Sequence, residues 1–256
     1  PAGALSDAAR GGVNVHGGGW DCHAHLFGPY AEFPLAAARS YTPPPATQED
    51  HAAHLARLGL DHGVLVQPSA YGADHGLLLQ ALARSPRLRG VIVVRREDLA
   101  ALGPLNALRE RGVRGARFSH RSGAQGNFAG AALFEDLLAL VPALADAGLH
   151  AELWTDCDAL PAIAEPLRRL PVPVVVDHLG GFDRATGPDH PGFAALAALV
   201  AEGRAWVKLC AVRTAALTEP EAALPFVQCL LQADPAQLVW GSDWPHLRMQ
   251  PPPDAL

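Results

Sequence analysis

The stretch Gly17-Gly-Gly-Trp-Asp-Cys-His-Ala-His-Leu-Phe-Gly-Pro29 places Asp21, His23 and His25 at every second position, directly after a glycine run. Alternate residues of a strand share one face. Three ligand-grade side chains therefore point the same way. On a strand inside a fold, such groups are costly unless they meet partners. The pattern predicts a first strand whose C-terminal end carries chemistry.

From this strand outward, short apolar or β-branched runs recur. They are HGVLVQPSA, RGVIVV, VRGARFS, HAELWT, PVVVDHLG, AWVKLCA and LVWGSDWP. Between them lie segments with helical spacing, such as QEDHAAHLARLG, which closes on Gly59. LAALGPLNALRERG reads as one helix. Pro142, Pro166 and Pro225 fall inside helical patterns, which predicts kinks or breaks there. Strands alternating with helices imply βαβ units and a parallel sheet. Eight such strands in 256 residues match the size of a (β/α)8 TIM barrel. A doubly wound sheet would want a glycine-rich phosphate turn after the first strand, and DCHAHLFGP is not one. Residues 1–19 read as a flexible leader and 20–256 as a single barrel domain. Only HLRMQPPPDAL follows the eighth strand, so the expected barrel lacks its last helix or has one strand fewer.

Composition bounds the function. Hydrophobic residues make up 49% and charged residues 18%, enough for a large core. A net charge of -6 gives no basic footprint for nucleic acid. No apolar run approaches a membrane span. Cys22, Cys157, Cys210 and Cys229 show no CxxC pair, which reads as a reduced, cytoplasmic protein.

The active sites of such barrels lie at the C-terminal strand ends. There the sequence offers Asp21, His23 and His25 on strand one and Arg117 with Ser119 on strand four. Strand five carries His150, Glu152 and Trp154, and strand six ends in Asp177-His178. Lys208 lies on strand seven with Arg213 beyond it, and Asp243 ends strand eight. His51, His54, His62, His75 and His190 lie in predicted helices or loops and read as solvated.

These residues carry a resemblance. DCHAHLFGP, YTP, VQPS, RGARF, VVDHLGG, WVKL and WGSDWPH, in this order from about Trp20 to His246, resemble the amidohydrolase superfamily and its 2-pyrone-4,6-dicarboxylate lactonase branch, which opens cyclic esters. The resemblance implies that Asp243 is the general base toward water. It implies that His23, His25 and His178 hold and polarise the lactone carbonyl. Arg117 would grip a substrate carboxylate, with Ser69, Tyr41 and Arg213 as further contacts and Trp154 in what is otherwise a tyrosine position. Lactone hydrolysis needs an activated water and a sink for oxyanion charge, and arginine recognises carboxylates bidentately.

Two departures bear on the substrate. Gly181 stands where the lactonase pattern has an arginine, and Arg121 is offset from a second one. A substrate with fewer carboxylates, or a related muconolactone, is therefore as consistent as the pyrone. Metal-dependent relatives add a strand-five histidine, but His150 starts its strand. No cofactor is required on this reading, and a small anionic lactone is the expected partner. The alternative is one divalent ion, zinc above all, on His23, His25, Glu152 and Asp243. A sugar-lactone hydrolase, a metal-dependent decarboxylase or hydratase, and a non-catalytic barrel are the competing readings. The sequence does not give the oligomeric state.

Overall fold

The computed structural model describes residues 18–122, 126–210 and 220–247. Eight parallel strands follow chain order around the sheet. They are β1 (Trp20–Ala24), β2 (His62–Val66), β3 (Leu88–Ile92), β4 (Val113–His120), β5 (His150–Thr155), β6 (Val174–Val176), β7 (Trp206–Leu209) and β8 (Leu238–Trp240). The helices between them are α1 (Gln48–Leu58), α2 (Gly76–Arg84), α3 (Leu99–Leu102), α4 (Leu105–Glu110), α5 (Phe134–Ala147), α6 (Leu160–Arg168), α7 (Pro191–Ala201) and α8 (Leu224–Ala233). The seam between β8 and β1 is stitched just beyond the strands. Asp243 N donates to His23 O at 2.9 Å and His25 N to Trp244 O at 2.8 Å. The result is a nearly closed (β/α)8 barrel.

Local chemistry explains the elements. Thr47 and Asp50 form a capping box at the start of α1. Gly59 ends the helix in the left-handed region, φ 68°, where glycine carries no steric cost. The strands bury Leu65, Ile92, Phe118, Leu153 and Val207 between sheet and helices. On α5, Leu137, Leu140 and Leu144 are fully buried at helical spacing.

Several expectations need correction. Pro142 and Pro166 do not break their helices, whereas the pattern around Pro225 divides, as expected, into a 3-10 turn over Pro220–Ala223 and α8. α5 runs on through Pro142 because the carbonyl it orphans belongs to Leu138, on the exposed face within reach of water. Pro166 sits near the end of α6. Pro225 lies in the first turn of α8, where no helical partner awaits its missing N–H. The single helix expected after β3 is two, α3 and α4, parted at Gly103-Pro104. The last-helix question and most of the expected leader lie outside the described residues, as does Arg213. No helix among the described residues is long and apolar enough to cross a membrane.

Candidate active site

β1 delivers its alternating triplet inward. Asp21, His23 and His25 are all buried. They divide the labour. Asp21 turns to the barrel seam, where it accepts from Ser242 N at 2.9 Å, Ser242 Oγ at 2.5 Å and His23 N at 3.1 Å. Burial raises its pKa, and the Ser242 hydrogen bonds oppose that rise. His25 donates from Nδ1 to Val66 O at 2.7 Å. Its Nε2 then faces His23 Nε2 at 3.2 Å.

Three charged groups, Glu152, Asp177 and Lys208, approach the other nitrogen of His23, and Arg117 joins their network. Arg117 Nε donates to Asp177 Oδ2 at 2.8 Å and lies 3.7 Å from Glu152 Oε1. Lys208 Nζ donates to Glu152 Oε2 at 2.5 Å and contacts His23 Nδ1 at 3.2 Å. Asp177 Oδ1 is 3.3 Å from that nitrogen. The charges balance, two cations against two carboxylates. Burial alone would raise the Asp177 carboxyl, but Arg117 and Lys208 hold it well below the usual range. Burial alone would lower Lys208, but Glu152 and Asp177 keep it charged. Burial, then the nearby Lys208 charge, pushes His23 well below its ordinary pKa, so its ring is neutral.

Above this layer opens a cleft with about 620 Å³ of empty space, part of it open to solvent. His25, His178, Asp243 and Arg117 line its floor, and Tyr41, Ser69, Phe128 and Trp154 its walls. His178 and Asp243 both sit at positive φ, 51° and 60°. Such sparsely populated backbone is characteristic of sites where geometry is imposed by the surrounding fold. Asp243 Oδ1 lies 3.6 Å from His25 Nε2 and 3.8 Å from His23 Nε2. Phe128 packs between Tyr41 and Trp154, at ring distances of 5.5 and 4.9 Å. The guanidinium carbons of Arg117 and Arg121 stand 5.1 and 4.4 Å from the Trp154 ring.

The structure thus brings His25, His178, Asp243, Arg117, Ser69, Tyr41 and Trp154 to one cleft. His23 lies fully buried among them, and Arg121 reaches Trp154. Glu152 is set apart from Asp243. The two approach opposite nitrogens of His23, and Glu152 is ion-paired to Lys208. Sequence reasoning missed Phe128, which sits in a loop with no periodic signal. It also missed the Asp177 bond to Arg117. His51, His54 and His75, read as solvated, are buried. His51 and His54 pack on Trp244 at 5.4 and 5.8 Å, and His75 Nε2 donates to Val93 O at 2.8 Å.

The spacing of these donor atoms also suits a divalent ion. Tetrahedral zinc, with bonds of about 2.0–2.1 Å, places its ligand atoms roughly 3.3 Å apart. The two imidazole Nε2 atoms are 3.2 Å apart, with Asp243 Oδ1 at 3.6 and 3.8 Å. His23, His178 and Asp243 present ligand atoms within 4.8 Å of one another, as do His23, Glu152 and Asp177.

A nearly closed (β/α)8 barrel with histidines and an aspartate gathered at its strand ends defines a class, and comparison gives it a name. A family model described as Amidohydrolase matches residues 20–256, and the chain belongs to that family. It is 36% identical over 236 residues to the 4-sulfomuconolactone hydrolase of Rhizobium radiobacter, covering 90% of this chain and 76% of that protein. It is 31% identical to a 2-pyrone-4,6-dicarboxylate hydrolase of Comamonas testosteroni, over 93% of this chain and 81% of that one. A crystal structure from Pseudomonas putida, provisionally assigned as a 2-pyrone-4,6-dicarboxylic acid hydrolase, superposes with a TM-score of 0.76 at 32% identity. That match covers 92% of this chain and 86% of the other.

Proposed function

We propose that this chain hydrolyses an anionic lactone. The observation that carries this reading is the cleft itself, which faces Asp243 and His178 with a guanidinium that still has hydrogen bonds to give. Arg117 spends Nε on Asp177. Among the described residues its two terminal nitrogens donate to no protein group, and the residue lines the cleft. That fork suits a carboxylate or a sulfonate. Both similar hydrolases carry names of anionic lactones.

In this reading Asp243 takes a proton from water as the water oxygen bonds to the lactone carbonyl carbon. His178 faces the carbonyl oxygen and stabilises its growing negative charge, with His25 and His23 beside it. The ring C–O bond then breaks, and the proton held by Asp243 passes to the departing ring oxygen. The wall of Tyr41, Phe128 and Trp154 favours a flat, unsaturated ring. A divalent ion, where bound, would rest on His23, His25 or His178 with Asp243 and would supply Lewis-acid polarisation. The residue roles above operate without it.

The substrate carries one anionic group more readily than two. Gly181 stands where a second arginine was expected, at φ 62°. A Cβ there would lie 2.6 Å from Thr155 O and 2.9 Å from Asp156 Cα. No side chain fits that backbone.

The test is turnover of a lactone panel in a pH-stat, with and without a strong chelator. A mono-anionic lactone opened at comparable rates in both conditions is the expected result. No turnover of any anionic lactone would defeat the reading. Activity lost on chelation and restored by zinc would move the reaction to a metal.

A further inference from the structure

Lys208 is the only lysine in the chain, it is buried, and the proposed chemistry gives it no part. It touches two of the four side chains that a metal at this site was expected to use. Its ammonium occupies Glu152 Oε2 and contacts His23 Nδ1. We infer that Lys208 is a positioning residue that holds His23 in its Nε2–H tautomer and so withholds the lone pair that a metal at Nε2 would need.

An ammonium has only protons to offer, so the nitrogen it bonds must present a lone pair. An imidazole that accepts at Nδ1 carries its proton on Nε2. That proton faces His25 Nε2 at 3.2 Å, which is bare because the His25 proton sits on Nδ1 against Val66 O. Each bond in the sequence Lys208, His23, His25, Val66 has one donor and one acceptor. Metal ligation by His23 Nε2 requires the opposite tautomer, with Nδ1 protonated and donating behind the ligand. The competing acceptor is present, Asp177 Oδ1 at 3.3 Å from Nδ1. Lys208 Nζ also lies 3.5 Å from Asp177 Oδ1, so the ammonium, which can only donate, faces both acceptors and leaves His23 Nδ1 no need of a proton. A divalent ion on this imidazole would also add charge to a ring that already faces an ammonium.

The readout is the His23 tautomer, seen by long-range proton–nitrogen correlation in protein labelled with ¹⁵N-histidine. The expected wild-type pattern is protonated Nε2 and bare Nδ1. A protonated Nδ1 overturns the inference without any variant. The double variant Lys208→Met with Glu152→Gln removes the ammonium without baring its carboxylate partner. In it, His23 is expected to switch to Nδ1–H, and zinc, measured by competition with a chromophoric chelator, to bind at least about tenfold tighter, a 1.4 kcal/mol change. Lys208→Arg, which keeps a cationic donor, is expected to stay near wild type in both measurements. A folded double variant with unchanged tautomer and zinc affinity overturns the inference, and if it does not fold the wild-type spectrum decides. Neither readout uses turnover. Failure of the lactone reading would leave the tautomer result standing, and the reverse.

Discussion

Arg117→Met separates the anchoring of the substrate from the anchoring of the fold. The guanidinium serves both. Toward the cleft it offers its terminal nitrogens, and toward the interior its Nε holds fully buried Asp177 at 2.8 Å. Losing a charged hydrogen-bond partner in the bound state costs roughly 2–4 kcal/mol, which is about a 30- to 900-fold fall in kcat/KM for an anionic lactone. Baring a buried carboxylate costs about 3–5 kcal/mol of stability. The companion change Asp177→Asn removes that second penalty, so Arg117→Met/Asp177→Asn is expected to recover much of the lost stability while its kcat/KM stays low. The assay is kcat/KM for a neutral, a mono-anionic and a di-anionic lactone on wild type and both variants, with Tm measured alongside. Neutral lactones should be poor wild-type substrates and should lose little. If the neutral compound is best and Arg117→Met leaves all three rates unchanged, the anionic-lactone argument is wrong.

Asp243→Asn should keep the fold, since asparagine tolerates positive φ, and should lower kcat by about 100-fold or more, as loss of a general base does; near-normal kcat in a folded variant removes Asp243 from the chemistry. Burial, then neighbouring His54, lowers His51 from 6.5 to about 4. The unfolded chain therefore takes up this proton first as pH falls, and stability should decline between about pH 6.5 and 4 by about 3 kcal/mol for this group. Urea midpoints across that range test it, with His51→Gln expected to flatten the slope. Gly181→Ala should lower stability by about 1–3 kcal/mol through the forced φ and the backbone clash. Gly181→Arg should likewise lose stability without gaining activity on a dicarboxylate, and a gain there would show that the loop can move.

The barrel was legible because its signals are local. Each strand run and each helix stop, such as Gly59 after α1, is written within a few residues. The DxHxH spacing likewise placed His23 and His25 on the inner face. The contacts that define the site are not local. Arg117 meets Asp177 across 60 positions and Lys208 meets His23 across 185, and no spacing rule announces such pairs. The buried histidines had a signal that polarity masked. His51 and His54 share with Leu55 and Leu58 the i, i+3, i+4, i+7 pattern of an apolar face, and His51, His54 and Leu55 are the buried residues of α1. Pro142 misled because a proline rule ignores which carbonyl is orphaned and where it faces.

The clasp between Asp21 and Ser242 spans 221 positions. During synthesis the first strand emerges long before the serine that completes its carboxylate's shell. Until then, shutting the sheet would strand a desolvated Asp21 with only its local bond to His23 N. Burial of the motif's aspartate is thus offset only when both ends of the chain are in place, and the same closure sets Asp243 beside His23 and His25.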